Sequence, residues 1–107
     1  MNALNVLVIE QIPNDKELEK ILVNQGINTV TMAIQGLDIS QLIETIRPTI
    51  ILFNASELTD MVLQTIIEIN EVYAVPIILF SDADDAKAIN KVIKTGVSAY
   101  IVNGIES

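Results

Sequence analysis

Short, nearly continuous apolar runs alternate along this chain with longer stretches in which apolar residues return at every third or fourth position. The runs are Asn5 to Glu10 (NVLVIE), Asn28 to Ala33 (NTVTMA), Thr49 to Asn54 (TIILFN), Val75 to Ser81 (VPIILFS) and Val97 to Val102 (VSAYIV). Runs of this length, rich in Val, Ile and Thr, read as strands, and continuous apolarity implies burial on both faces of a sheet. The third run is the most uniformly apolar, which predicts a central strand. The second alternates with threonines and reads as an edge strand with one face partly exposed. Pro76 falls near the first position of the fourth run, where a missing amide does least harm.

The intervening stretches carry the helical period. Leu18, Ile21, Leu22 and Gln25 form the first stripe, with Asn14 as N-cap, Glu17 completing a capping-box pair and Gly26 as the left-handed stop. Ile39, Leu42, Ile43 and Ile46 form the second, and Pro48 prevents its continuation. The third, Asp60 to Val72, offers Leu63, Ile66, Ile67 and Asn70. The fourth opens on Asp82, Asp84 and Asp85 and closes with Lys87, Lys91 and Lys94 before Gly96. Acids at the positive end and bases at the negative end suit the helix dipole, so these charges read as a solvated face rather than a binding patch. Strands alternating with helices of about ten residues imply parallel pairing through right-handed crossovers, hence a doubly wound parallel α/β sheet. No linker or low-complexity tract interrupts the pattern, so residues 1–107 read as a single domain.

Composition narrows the chemistry. The formal net charge is -8, and Arg47 is the single arginine beside five lysines, which argues against direct binding of nucleic acid. There is no cysteine and no histidine, which removes disulfides, thiolate nucleophiles, structural zinc sites and imidazole bases. Half of the residues are hydrophobic and 4% aromatic, so the core must be aliphatic. No apolar run approaches the roughly 18 residues that span a bilayer, and Met1 to Asn5 lacks the basic region of a signal peptide, so a cytoplasmic location without a membrane partner is expected.

Doubly wound sheets place their chemistry at the carboxyl ends of the strands. Glu10 and Gln11 stand there after the first strand, Asn54 after the third, Ser81 after the fourth and Asn103 after the fifth, with Tyr100 three residues earlier. On these residues the chain resembles, over essentially its whole length, the receiver domain of two-component response regulators. The resemblance implies a flavodoxin-like (CheY-like) five-stranded sheet of order 2-1-3-4-5. It also implies an acidic, metal-binding pair at Glu10 and Gln11, a phosphoaccepting aspartate at Asn54, switch residues at Ser81 and Tyr100, and a lysine at Asn103. The stretch Gly96 to Gly104 (GVSAYIVNG) is similar to receivers of antitermination regulators, which attach an RNA-binding ANTAR domain downstream. Receivers normally close with a fifth helix. After the turn at Asn103-Gly104 only three residues follow, so that helix, about 10 to 14 residues at typical length, is expected to be missing or truncated.

The departures from the family pattern decide the functional expectation. Asn54 has no nucleophilic carboxylate oxygen, Gln11 and Asn54 leave Glu10 as the remaining acid of the usual set, and Asn103 supplies no positive charge. Magnesium wants several hard, preferably charged oxygens, so weak binding at best is expected and no cofactor is assigned. The expectation is a degenerate receiver, or pseudo-receiver: a signalling module without enzyme activity, not phosphorylated on the usual aspartate, acting through a protein partner or self-association. Aliphatic strand faces left by a missing helix would favour association. The plainer readings make Asn54 and Asn103 backbone-bonding strand-end residues, Ser81 the N-cap of the fourth helix and Tyr100 an amphipathic edge residue. A small enzyme or nucleotide-binding module is disfavoured, since the turn Glu10 to Asn14 lacks the glycines that cradle phosphates.

Overall fold

The computed structural model describes residues 4–11 and 17–102. Five strands and four helices alternate there: β1 (Asn5–Glu10), α1 (Glu17–Asn24), β2 (Asn28–Ala33), α2 (Ile39–Ile46), β3 (Ile50–Asn54), α3 (Asp60–Val72), β4 (Ile77–Ser81), α4 (Ala86–Ile93) and β5 (Ala99–Val102). All four strand pairings are parallel, and the order is β2-β1-β3-β4-β5. This is the CheY-like flavodoxin fold, with β3 central and β2 at an edge as the run compositions require.

The two faces of the sheet are buried unequally. Leu7, Ile9, Ile51, Phe53, Ile77 and Leu79 point to one side, where Ile43 of α2, Val62, Ile66 and Ile69 of α3 and Val92 of α4 close over them. Each of these side chains is nearly or wholly removed from water, a contribution of roughly 1.5–3 kcal/mol apiece. The opposite side is smaller: Val6, Val8 and Leu52 are buried with Leu18 and Leu22 of α1 against them. Farther along that side Ile78 and Phe80 are only half-buried, and Ile101, paired in register with Phe80, is 44% exposed. Of the fifth helix nothing follows, because Asn103 to Ser107 lie outside the described residues, as do Asn14 and the Glu17 side chain of the expected first cap.

Several expected details shift. β4 starts after Pro76 and β5 after Ser98, each two residues later than the apolar run; Ser98 N–H still bonds Ile77 O at 2.8 Å, so the chain pairs before it becomes regular strand. In α1, Ile21 is 55% exposed, because a short helix offers only the Leu18–Leu22 ridge to β1 and β3. In α3 the buried face is Val62, Thr65, Ile66 and Ile69, one position round from the expected stripe. Leu63 packs only at its margin, and Asn70 turns its side-chain amide to Thr95 O at 2.7 Å. The helix follows the direction of the sheet surface beneath it, and Thr65 satisfies its hydroxyl on Met61 O. Termini behave as their chemistry dictates. Asp38, Thr59 and Asp85 cap α2, α3 and α4 by accepting backbone N–H bonds three residues on. Gly26, at φ 77°, ends α1 while Ile27 N–H reaches back to Leu22 O. Ser81 is therefore not the N-cap of α4. The chain runs four more residues before the helix starts, and Asp85 takes that place.

Candidate functional site

The parallel register brings the ends of three strands side by side. Glu10 of β1 lies beside Asn54 of β3, which lies beside Phe80 of β4, and Ser81 ends β4. Gln11 N–H extends the ladder to Asn54 O at 2.9 Å, and Ala55 N–H extends it to Phe80 O at 2.9 Å. The strand ends are thus stitched together one residue beyond regular strand, which fixes where the side chains emerge.

Glu10 is 2% exposed. Its Oε2 accepts the Asn54 side-chain N–H at 3.4 Å, so the amide at the centre of the sheet edge acts as a donor to the carboxylate beside it. An ionised aspartate in that place could only accept. Gln11, half-buried, bonds its side chain to the loop between β3 and α3. Its Oε1 accepts from Glu57 N–H at 3.2 Å and from the Ser56 hydroxyl at 3.4 Å, and its Nε2 donates to Glu57 O at 3.1 Å.

Ser81 grips the same loop from the other flank. Its hydroxyl is fully buried, donates to Ser56 O at 3.3 Å and accepts Ala83 N–H at 3.2 Å, and Asp82 N–H also bonds Ser56 O at 3.3 Å. Tyr100 packs its ring against the larger core and donates its hydroxyl to Ala83 O. Both polar groups of the Ala83 backbone environment are therefore tied, one through Ser81 and one through Tyr100. Tyr100 is thus half-buried on the edge strand β5, its ring against the core and its hydroxyl on backbone.

Glu10, Gln11, Asn54 and Ser81 stand together at this end of the sheet, and Tyr100 is linked to Ser81 through Ala83. Asn103 lies outside the described residues. Sequence reasoning missed Ser56, Glu57 and Ala83: Glu57 and Ala83 contribute only backbone groups here, and Ser56 its carbonyl beside its hydroxyl, and backbone groups carry no residue-type signal. Among the described residues the donor set is a poor match for a magnesium ion. Gln11 is spent on Glu57 and Ser56, Ser56 O already accepts two bonds, and Asn54 presents N–H to Glu10. Among the described residues no group of three acidic, histidine or cysteine side chains stands close enough to share a cation. No described helix is long and apolar enough to cross a membrane.

Comparison with protein-family models and with curated proteins gives no match. Comparison with solved structures gives many. The BeF3-activated N-terminal receiver domain of Klebsiella pneumoniae RstA superposes with a TM-score of 0.79 at 16% identity, over 95% of this chain and 87% of that one. A CheY-like response regulator receiver domain from Methanospirillum hungatei JF-1 gives 0.76 at 15% identity, covering 98% and 85%. HP1043, an orphan response regulator of H. pylori, gives 0.74 at 20% identity, covering 97% and 86%. At these identities the likeness defines the fold: the structural neighbours are CheY-like receiver domains, and this chain has their architecture.

Proposed function

We propose that this chain is a degenerate receiver domain of signal transduction, one that is not phosphorylated at the central strand end and acts by binding a protein partner or a second copy of itself. The observation that carries the reading is Asn54. It stands at the carboxyl end of β3 and donates its amide to buried Glu10, where aspartyl phosphorylation requires an oxygen nucleophile and a cation beside it. No enzyme activity and no cofactor are assigned. The half-covered strand face around Ile78, Phe80 and Ile101 supports an associating role. A cytoplasmic location agrees with the composition.

The test is incubation with a small phosphodonor and magnesium followed by intact-mass measurement. The mass is expected to stay unchanged; a stoichiometric phosphoryl adduct mapped to Asn54, Glu10 or their neighbours would refute the reading. A narrower version, the regulatory part of an RNA-binding antitermination regulator, draws on the Gly96 to Gly104 stretch of the sequence. Recombinant chain joined to its native downstream reading frame should then bind structured RNA while residues 1–107 alone do not. An enzyme or nucleotide-binding module has no observation in its favour.

A further inference from the structure

Gln11 stands where an acid would help to hold a cation, yet its side chain is matched to something else. The loop at 55–59 connects the central strand to α3, and its first residues are bonded to the neighbouring strand ends. The Gln11 amide meets the Glu57 peptide group with both of its functions, accepting the N–H at 3.2 Å and donating to the C=O at 3.1 Å, while the Ser56 hydroxyl adds a third bond at 3.4 Å. A carboxylate could accept the first and third of these and could never donate the second. Across the loop, Ser81 hydroxyl and Asp82 N–H hold Ser56 O, each at 3.3 Å. The loop is therefore bonded to the end of β1 on one side and to the end of β4 on the other.

We infer that Gln11 and Ser81 form a permanent clasp on the β3–α3 loop, in which a neutral side-chain amide does the bridging that an ion between carboxylates would otherwise do. The glutamine is a fitted partner of the loop backbone, not an eroded metal ligand. Two properties follow. The loop keeps one conformation whether or not divalent cations are present, and the Ser81–Ala83 segment, bonded to it and to Tyr100, is held with it. Gln11 is a positioning residue in this account. The clasp stands on this geometry alone and does not depend on the signalling assignment.

Amide hydrogen exchange of the 107-residue chain, followed residue by residue by NMR, tests it. In the parent protein Glu57 N–H is expected to exchange well below the rate of an unstructured peptide. Gln11→Ala should speed Glu57 about tenfold, the loss expected for a broken hydrogen bond. Ala55 N–H, bonded to Phe80 O, should stay unchanged as a measure of intact sheet. Gln11→Glu keeps the acceptor, so Glu57 should remain slow in that variant, which also serves if the alanine variant does not fold. Magnesium chloride added to the parent should leave the Ser56 and Glu57 resonances in place. Equal Glu57 rates in parent and Gln11→Ala, a Gln11→Glu variant as fast at Glu57 as unstructured peptide, or a saturable movement of these resonances with magnesium would each overturn the clasp.

Discussion

Replacing Asn54 by aspartate exchanges one NH2 group for an oxygen and removes the donor of one hydrogen bond. Asn54 donates to Glu10 Oε2 at 3.4 Å, and Glu10 is buried. In Asn54→Asp the donor disappears and a second negative charge arrives at the same separation. Two full charges 3.4 Å apart repel by about 5 kcal/mol at an effective dielectric constant near 20. The folded protein escapes part of that by holding one proton on the pair. The lost hydrogen bond to a charged group adds roughly 1.5–3 kcal/mol. A net destabilisation of roughly 2–4 kcal/mol at neutral pH is expected once proton uptake is allowed for. The sign of the pH dependence follows from proton counting. Around neutrality the folded variant holds a proton on the pair that the unfolded chain has released, so the variant loses stability as pH rises above about 4, until the pair itself ionises. The parent, with an amide at position 54, has no second carboxylate to share a proton, so the gap between the two proteins widens from acid toward neutral pH. Urea unfolding of both proteins across that range measures the gap directly. A variant within about 0.5 kcal/mol of the parent at every pH, the scatter of ordinary surface changes, would show that the two side chains do not meet as described.

Two further substitutions probe the scaffold that holds the site. Gly96 has φ 91°, and a Cβ placed there comes within 2.6 Å of Asn70 Nδ2, whose amide is committed to Thr95 O at 2.7 Å. Gly96→Ala should therefore cost about 1–3 kcal/mol in a thermal or urea melt. Gly26→Ala, at φ 77° with nothing within 4 Å, should cost less, and equal losses would mean that the contact with Asn70 adds nothing. Asp85→Ala removes the N-cap whose carboxylate accepts Ala88 N–H at 2.7 Å, with an expected loss of about 1 kcal/mol; no loss on removal of Asp85 would return the capping role to another residue of the 81–85 segment.

Element order, the central place of β3 and the edge place of β2 were legible along the chain, because strand and helix periodicities and the breadth of apolar burial are local properties of sequence. The absence of histidine and cysteine, and an amide at position 54, were equally plain, and they bound the chemistry without any coordinates. The phase of burial in α3 was not legible. Leu63 and Ile67 are as apolar as Val62 and Ile69, and the direction of the sheet beneath the helix chose between them. Nor could sequence assign the cap of α4 among Ser81, Asp82, Asp84 and Asp85, since each can accept a backbone N–H and the point where the chain turns decides which one does. The partners of Gln11 lay furthest from view. Two of them are backbone groups of Glu57, 46 residues away, brought over it only because β3 inserts beside β1 in the sheet, and no residue type announces a carbonyl or an N–H. Sequence fixes which groups a chain owns and how its neighbours pattern locally; the packing order of its strands decides which of those groups meet.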